Sequence, residues 1–286
     1  ADERALAETI NVSATLSVGA SLRAMLEGAT VRNGFCGFSN RNGLAAWDLV
    51  ASGFVGEIDA VRSVYGSILA EGFRPEAMAE ELGSRFEIER NYFKRHAACR
   101  FTHGALDVVA ALLAELGSLP PRDIAGIEVE TYAYAAQLDS AEPANMLAAR
   151  FSLPFAVATT IVNGEASVPA FRRKAVADET IRALARRVTV RENAEFTAML
   201  PAKRPARLTV RLADGRVLTR ETMTNRGDAA DPYTPDEVRA KFFDLTVPVW
   251  GEAHAKRVHS AIETIETAES LAGLNTLLGE PPRKDA

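Results

Sequence analysis

Residues 93–107 read FKRHAACRFTHGALD and gather two of the chain's four histidines, one of its two cysteines and three basic side chains. Lys94, Arg95 and Arg100 can hold carboxylates or phosphates through charge-assisted hydrogen bonds. His103 can move a proton near neutral pH. Cys99 can donate a weak hydrogen bond or, with its pKa lowered, act as a base. The same residues also fit a solvated basic loop joining two packed pieces. A zinc reading exists as well, His96-x2-Cys99-x3-His103 with the distant Cys36 as fourth ligand. Structural zinc sites are built from paired CxxC or HxxxH elements, and only a mixed, unpaired version is present.

A second stretch, ATVRNGFCGFSNRNGLAA (29–46), carries Gly34, Gly37 and Gly43. It does not spell a dinucleotide fingerprint and no strand precedes it, so its glycines are expected to allow close helix packing. Arg32 and Arg41 can point charge from this small-residued segment into a cleft. His254 and His259 are five residues apart, a spacing that does not stack them on one helix face, and both are expected at the surface. In SLPF (152–155), Ser152 is expected to cap a helix.

The elements that position these residues follow from periodicity. Residues 1–92 are mostly helical in pattern, with a run over 1–26, two helices within 43–72 separated by Gly53 and Gly56, and a short helix at 74–83. THGALDVVAALLAELGSLPP (102–121) is an amphipathic helix stopped by Gly117 and the proline pair. IAGIEVETYAYA (124–135) alternates as a strand, and 151–164 is a buried helix closed by Asn163 and Gly164. A helix runs into a strand over 178–193, two strands flank Asp214–Gly215, and helix returns from 234 to about 278. The fold class expected is a mostly helical domain with an inserted smaller α+β lid domain, divided as 1–93, 94–228 and 229–286.

The 286 residues are 47% hydrophobic and 25% charged, with a net charge of −5 and no long run of one sign. That is a globular composition that does not suggest nucleic acid as a partner. No stretch approaches the ~20 apolar residues of a membrane span, and the first residues lack the charged-then-apolar pattern of a signal peptide. Two cysteines make no disulfide framework and cannot alone hold a conventional iron–sulfur cluster, so a reducing, cytoplasmic setting is expected. The first residues, ADERALAETI, read as helix without an initiating methionine, and the chain is expected to begin inside a longer protein.

Four segments, in order, resemble the second half of the MmgE/PrpD family, the group of 2-methylcitrate dehydratase and cis-aconitate decarboxylase. They are ATVRNGFCGFSNRNGLAAWDLVASGFVGE, FKRHAACRFTHGALD, ARFSLPFAVATTIVNG and NRGDAADPYTPDEVRAKF. Residues about 10 to 275 carry the likeness. It implies a helical domain with an α+β lid, a cleft between them, homodimers, and chemistry without metal or organic cofactor. It also places Lys94 on the family's cleft lysine, Cys99 on a position held by Cys or His, and His103 on the histidine that closes the motif. Arg32 falls where members often carry a substrate-contacting lysine, and an arginine there replaces a point ammonium with a planar fork. Ala97 stands where a proline is common. The family's first helical half has no counterpart here.

The function expected is thus a lyase dehydrating a small citrate-like polycarboxylate. Arg32 and Lys94 would bind carboxylates while His103 and Cys99 handle protons, with His96 and Arg95 outside the site. A decarboxylase or epimerase of a related di- or tricarboxylate on the same scaffold, and a non-catalytic truncated relative or interaction subunit, are the alternatives.

Overall fold

Two stretches between Ile124 and Leu212, Ile124–Thr131 and Ala206–Leu212, alternate buried and more exposed residues, and they form the centre of a sheet with one buried face. The structure is a computed structural model that describes residues 2–17, 19 and 21–283. Strands β1 (Ile124–Thr131), β2 (Val188–Glu192), β3 (Ala206–Leu212) and β4 (Val217–Thr222) lie in the order β2-β1-β3-β4. β1 runs parallel to β2, and the other two pairings are antiparallel. Ile127 pairs with both Val188 and Val210, and Val129 with both Val190 and Leu208, so these side chains share one face. The opposite face carries ion pairs, Arg207 reaching Glu130 at 3.1 Å and Glu221 at 2.7 Å. One face on the core and one in water is the usual antiparallel arrangement.

Helices precede, cover and follow the sheet. α1 (Glu3–Thr15), α2 (Leu22–Leu26) and α3 (Phe35–Ala51) come first, so the helix expected over 1–26 is two pieces. The second helix expected within 43–72 is a π-helical turn, Arg62–Ile68. The helix expected at 74–83 is a single 3-10 turn, Pro75–Met78. Met78 and Leu82 there stay largely in solvent, and a short helix with no buried face lacks the packing that most helices depend on. α3 buries only Ala46 and leaves Phe38, Leu44 and Trp47 exposed.

α4 (His103–Leu116) is followed by α5 (Ala133–Ala136), α6 (Met146–Arg150), α7 (Leu153–Asn163), α8 (Arg173–Val176), α9 (Glu179–Ala185) and α10 (Ala194–Ala198). α4 packs on β3 and α7 on β2, and the two helices pack on each other. α7 is buried from Leu153 to Ile161, which explains why its sequence shows no polar face. Ser152 caps it by accepting the Phe155 N–H at 3.0 Å, as expected. Leu106 and Leu112 of α4 are enclosed in the core these elements share, each stabilising the fold by about 1.5–3 kcal/mol. α11 (Pro235–Trp250), α12 (Glu252–Glu263) and α13 (Ala272–Gly279) close the chain.

The fold is thus mostly helical with a small mixed sheet. Packing divides it into two compact units: the chain up to Arg90 together with His96–Asn225, and Asn91–Arg95 together with the stretch from Arg226 on. Among the described residues no helix is long and apolar enough to cross a membrane.

Candidate active site

His103 is the first residue of α4, and a close approach of that helix to β3 carries it inward. A Cβ on the next residue, Gly104, would lie 3.1 Å from the Cβ of Ala206 and 3.1 Å from Nδ2 of Asn225. Glycine at that position therefore lets α4 lie against β3, and His103 is enclosed with 0% exposure. Asp107 follows one helical turn later, on the same side of α4. Its Oδ1 lies 3.0 Å from Nε2 of His96, with both side chains largely removed from solvent. The His96 and His103 rings meet edge-on, 5.0 Å between centroids at 75°. Two imidazoles and a carboxylate thus form one buried cluster. The His96–Asp107 contact is an ion pair when the imidazole is protonated and a hydrogen bond when it is neutral.

His96, expected outside the site, lies against Asp107 and His103. Asp107 was missed altogether. The signal was present, because Asp107 is the one acidic residue before Glu115 in an otherwise apolar helix, four residues after a histidine. A lone carboxylate on a buried helical face needs a partner.

Arg100 is also buried, and it donates to Oδ1 of Asn225. Its guanidinium is thereby engaged within the fold. Cys99 is half-buried against the main core, and its N–H donates to the Arg150 carbonyl at 2.8 Å. The Thr102 hydroxyl donates to the Cys99 carbonyl at 2.9 Å, which shapes the 3-10 turn Arg100–Thr102 leading into α4. Arg32 is half-buried on another 3-10 turn, Thr30–Gly34. Its guanidinium makes no hydrogen bond or ion pair among the described residues. The segment bearing it is tied down by Asn145, the N-cap of α6, whose amide donates to the Gly28 carbonyl at 3.0 Å. Among the described residues no three His, Cys, Asp or Glu side chains converge as a metal site requires, so the zinc arrangement is not formed; Cys36 is exposed on α3.

Lys94 lies in the second unit, exposed on the segment Asn91–Arg95. That segment is held by the Phe93 N–H donating to the Gly227 carbonyl at 2.9 Å. Gly227 has φ +94°, and a Cβ there would sit 2.3 Å from the Phe93 carbonyl oxygen, so only glycine fits. In the same unit, burial and then the charge of Lys94 push Lys241 below the usual lysine range, against the pull of Asp244. Glu237 completes a capping box with Thr234 at the start of α11. The Thr234 N–H and the Arg226 guanidinium hold its carboxyl at about 2.

The two later histidines depart from expectation. α12 packs against both α11 and α13, which buries His254 to 8% exposure. Its Nε2 lies 3.0 Å from the Leu277 carbonyl oxygen and its Nδ1 2.9 Å from the Glu280 carboxylate. His259 is half-buried beside the rings of Phe242 and Phe243. Both are packing residues rather than surface ones. A cavity of about 480 Å³ lies beside His254, walled by Trp250, Arg257, Glu280 and Arg283 among others. Arg257 is already paired with Glu280 there, at 3.1 Å. A smaller cavity of about 110 Å³ lies between Leu26, Leu138, Ala148 and Phe151, well under the ~300 Å³ at which small-molecule pockets begin.

Residues 96–267, more than half of the chain, match the MmgE/PrpD C-terminal domain. The chain belongs to the MmgE/PrpD family. No curated protein matches it. The matched MmgE/PrpD span begins at His96 and takes in Cys99, His103, Asp107 and Arg150, while Arg32 and Lys94 precede it.

Proposed function

We propose that the chain serves a cofactor-independent lyase reaction, the dehydration of a small citrate-like polycarboxylate of the 2-methylcitrate type. The observation that carries this reading is the buried His96–Asp107–His103 cluster at the start of the MmgE/PrpD domain. Dehydration removes a proton from the carbon beside a carboxylate, forms the C=C bond with that electron pair, and releases the hydroxyl as water. It needs a group to take the proton and cations to hold the carboxylates. Cys99 is half-buried whereas His103 is enclosed. In this proposal Cys99 therefore faces the substrate, His103 accepts or returns the proton behind it, and Arg32 and Lys94 bind carboxylates. The α+β region, 94–228, acts as the lid of the helical parts 1–93 and 229–286. The setting is cytoplasmic and the active form a homodimer. The apolar side chains that α3 leaves in solvent, Phe38, Leu44 and Trp47, support burial against another chain.

The test is turnover by the full chain of 2-methylcitrate, cis-aconitate and iminodisuccinate. Ultraviolet absorbance of the new C=C reports dehydration, and carbon dioxide release reports decarboxylation. Dehydration of 2-methylcitrate, lowered about 10²-fold or more in His103→Gln and Cys99→Ala, is the expected result. Turnover of cis-aconitate or iminodisuccinate alone would replace the reaction assigned, and wild-type rates in both variants would remove the roles of His103 and Cys99.

A further inference from the structure

Arg150 ends α6, and its guanidinium makes no hydrogen bond or ion pair among the described residues, although its Nε is fully enclosed. A buried donor left without an acceptor costs about 1–3 kcal/mol, more on a charged group, so such a group calls for a physical reason. Folding alone gives none. An apolar side chain of similar length would fill the same space without that cost. An anion arriving at the guanidinium supplies one.

Two connections set Arg150 beside groups already assigned. Its carbonyl accepts the Cys99 N–H at 2.8 Å, so the two residues are backbone neighbours. At the other end of the same short helix, Asn145 holds the Gly28 carbonyl at 3.0 Å, and four residues on from Gly28 comes Arg32. α6 rises only about 7.5 Å from Asn145 to Arg150, and α2 packs along it. Two half-buried arginines without counter-ions among the described residues thus sit on segments joined through one helix, with Cys99 tied to its far end. A partly desolvated guanidinium binds an anion more strongly than an exposed one, and its planar fork matches the two oxygens of a carboxylate.

We infer that Arg150 is a carboxylate-binding residue, acting with Arg32 to hold two carboxylates of one small polycarboxylate next to Cys99. The choice of a polycarboxylate rests on the function proposed above. The binding itself is tested without turnover.

Calorimetric titration of the full chain with citrate, tricarballylate and inorganic phosphate is compared across wild type, Arg150→Met and Arg150→Lys. Urea unfolding of the ligand-free proteins runs in parallel. Wild type is expected to bind citrate and tricarballylate. Arg150→Met should weaken that binding about tenfold or more, and Arg150→Lys, which keeps the charge but not the fork, should weaken it less. Ligand-free Arg150→Met should be as stable as wild type or more so, since the unpaired donor is gone. Equal binding by wild type and Arg150→Met overturns the inference. So does a marked loss of stability in ligand-free Arg150→Met, which would mean a structural role, or Arg150-dependent binding of phosphate alone. Failure of wild type to bind either polycarboxylate also overturns it. Polycarboxylate binding that depends on Arg150, in a protein that turns over none of the three substrates, would sustain this inference while the proposed reaction fell.

Discussion

Replacing Gly28 with alanine should loosen the joint between the Arg32 segment and α6, and the cost follows from the geometry. Gly28 sits at φ +71°, and a Cβ built there would lie 2.5 Å from Oδ1, 2.7 Å from Nδ2 and 2.9 Å from Cγ of Asn145. The left-handed backbone costs alanine about 1–2 kcal/mol. The overlap displaces the Asn145 side chain, whose Oδ1 accepts the N–H groups of Leu147 and Ala148 at 2.9 and 3.0 Å. Losing that cap costs about 1 kcal/mol, and losing the amide bond to the Gly28 carbonyl about 0.5–1.5 kcal/mol. The sum is about 2.5–4.5 kcal/mol, read as a lower urea midpoint with an unchanged slope. In an Asn145→Ala background the clash is absent, so the same substitution should cost only the backbone share, about 1–2 kcal/mol. A Gly28→Ala protein within about 0.5 kcal/mol of wild type, or equal costs in the two backgrounds, would refute the reasoning.

His96→Ala removes the imidazole 3.0 Å from the largely buried Asp107 carboxylate. A loss of about 2–4 kcal/mol is expected by urea unfolding, and a smaller loss in Asp107→Asn, which keeps a hydrogen-bonding group. The Glu237 carboxyl lies at about 2 against an ordinary 4.5. A depressed carboxylate stabilises fully above its unfolded value and loses that contribution as pH falls from 4.5 toward 2. Glu237→Gln should flatten the acid side of the stability profile in that window. Lys241 is depressed by burial and by Lys94, so the unfolded chain binds more protons between its folded value and 10.5, and stability should rise with pH there. Lys94→Met should raise Lys241 only slightly, since burial remains the main cause of its depression, as followed by NMR of dimethylated lysines; a return to the ordinary lysine range would refute burial as that cause.

Much of this was legible along the chain. The hairpin at Asp214–Gly215, the stop of α4 at Gly117, the cap at Ser152 and the continuously apolar α7 follow from local backbone preference and periodicity. The short helix expected at 74–83 failed because periodicity records which side chains want burial, not whether a surface exists to bury them. His254 failed for the converse reason. A five-residue spacing on one helix says nothing of the neighbours that enclose it.

Sequence by itself determined the family, the residue types crowded into 93–107 and the alternation that makes the sheet, since these depend on local order and covalent spacing. Only the tertiary structure decided that His96 belongs with His103 and Asp107, because that contact spans eleven residues and depends on how the chain folds back between His96 and the start of α4. Likewise, Arg150 is an ordinary helix-ending arginine in the sequence. Its Nε–H lacks an acceptor because the packed fold encloses it and, among the described residues, offers no partner in its place.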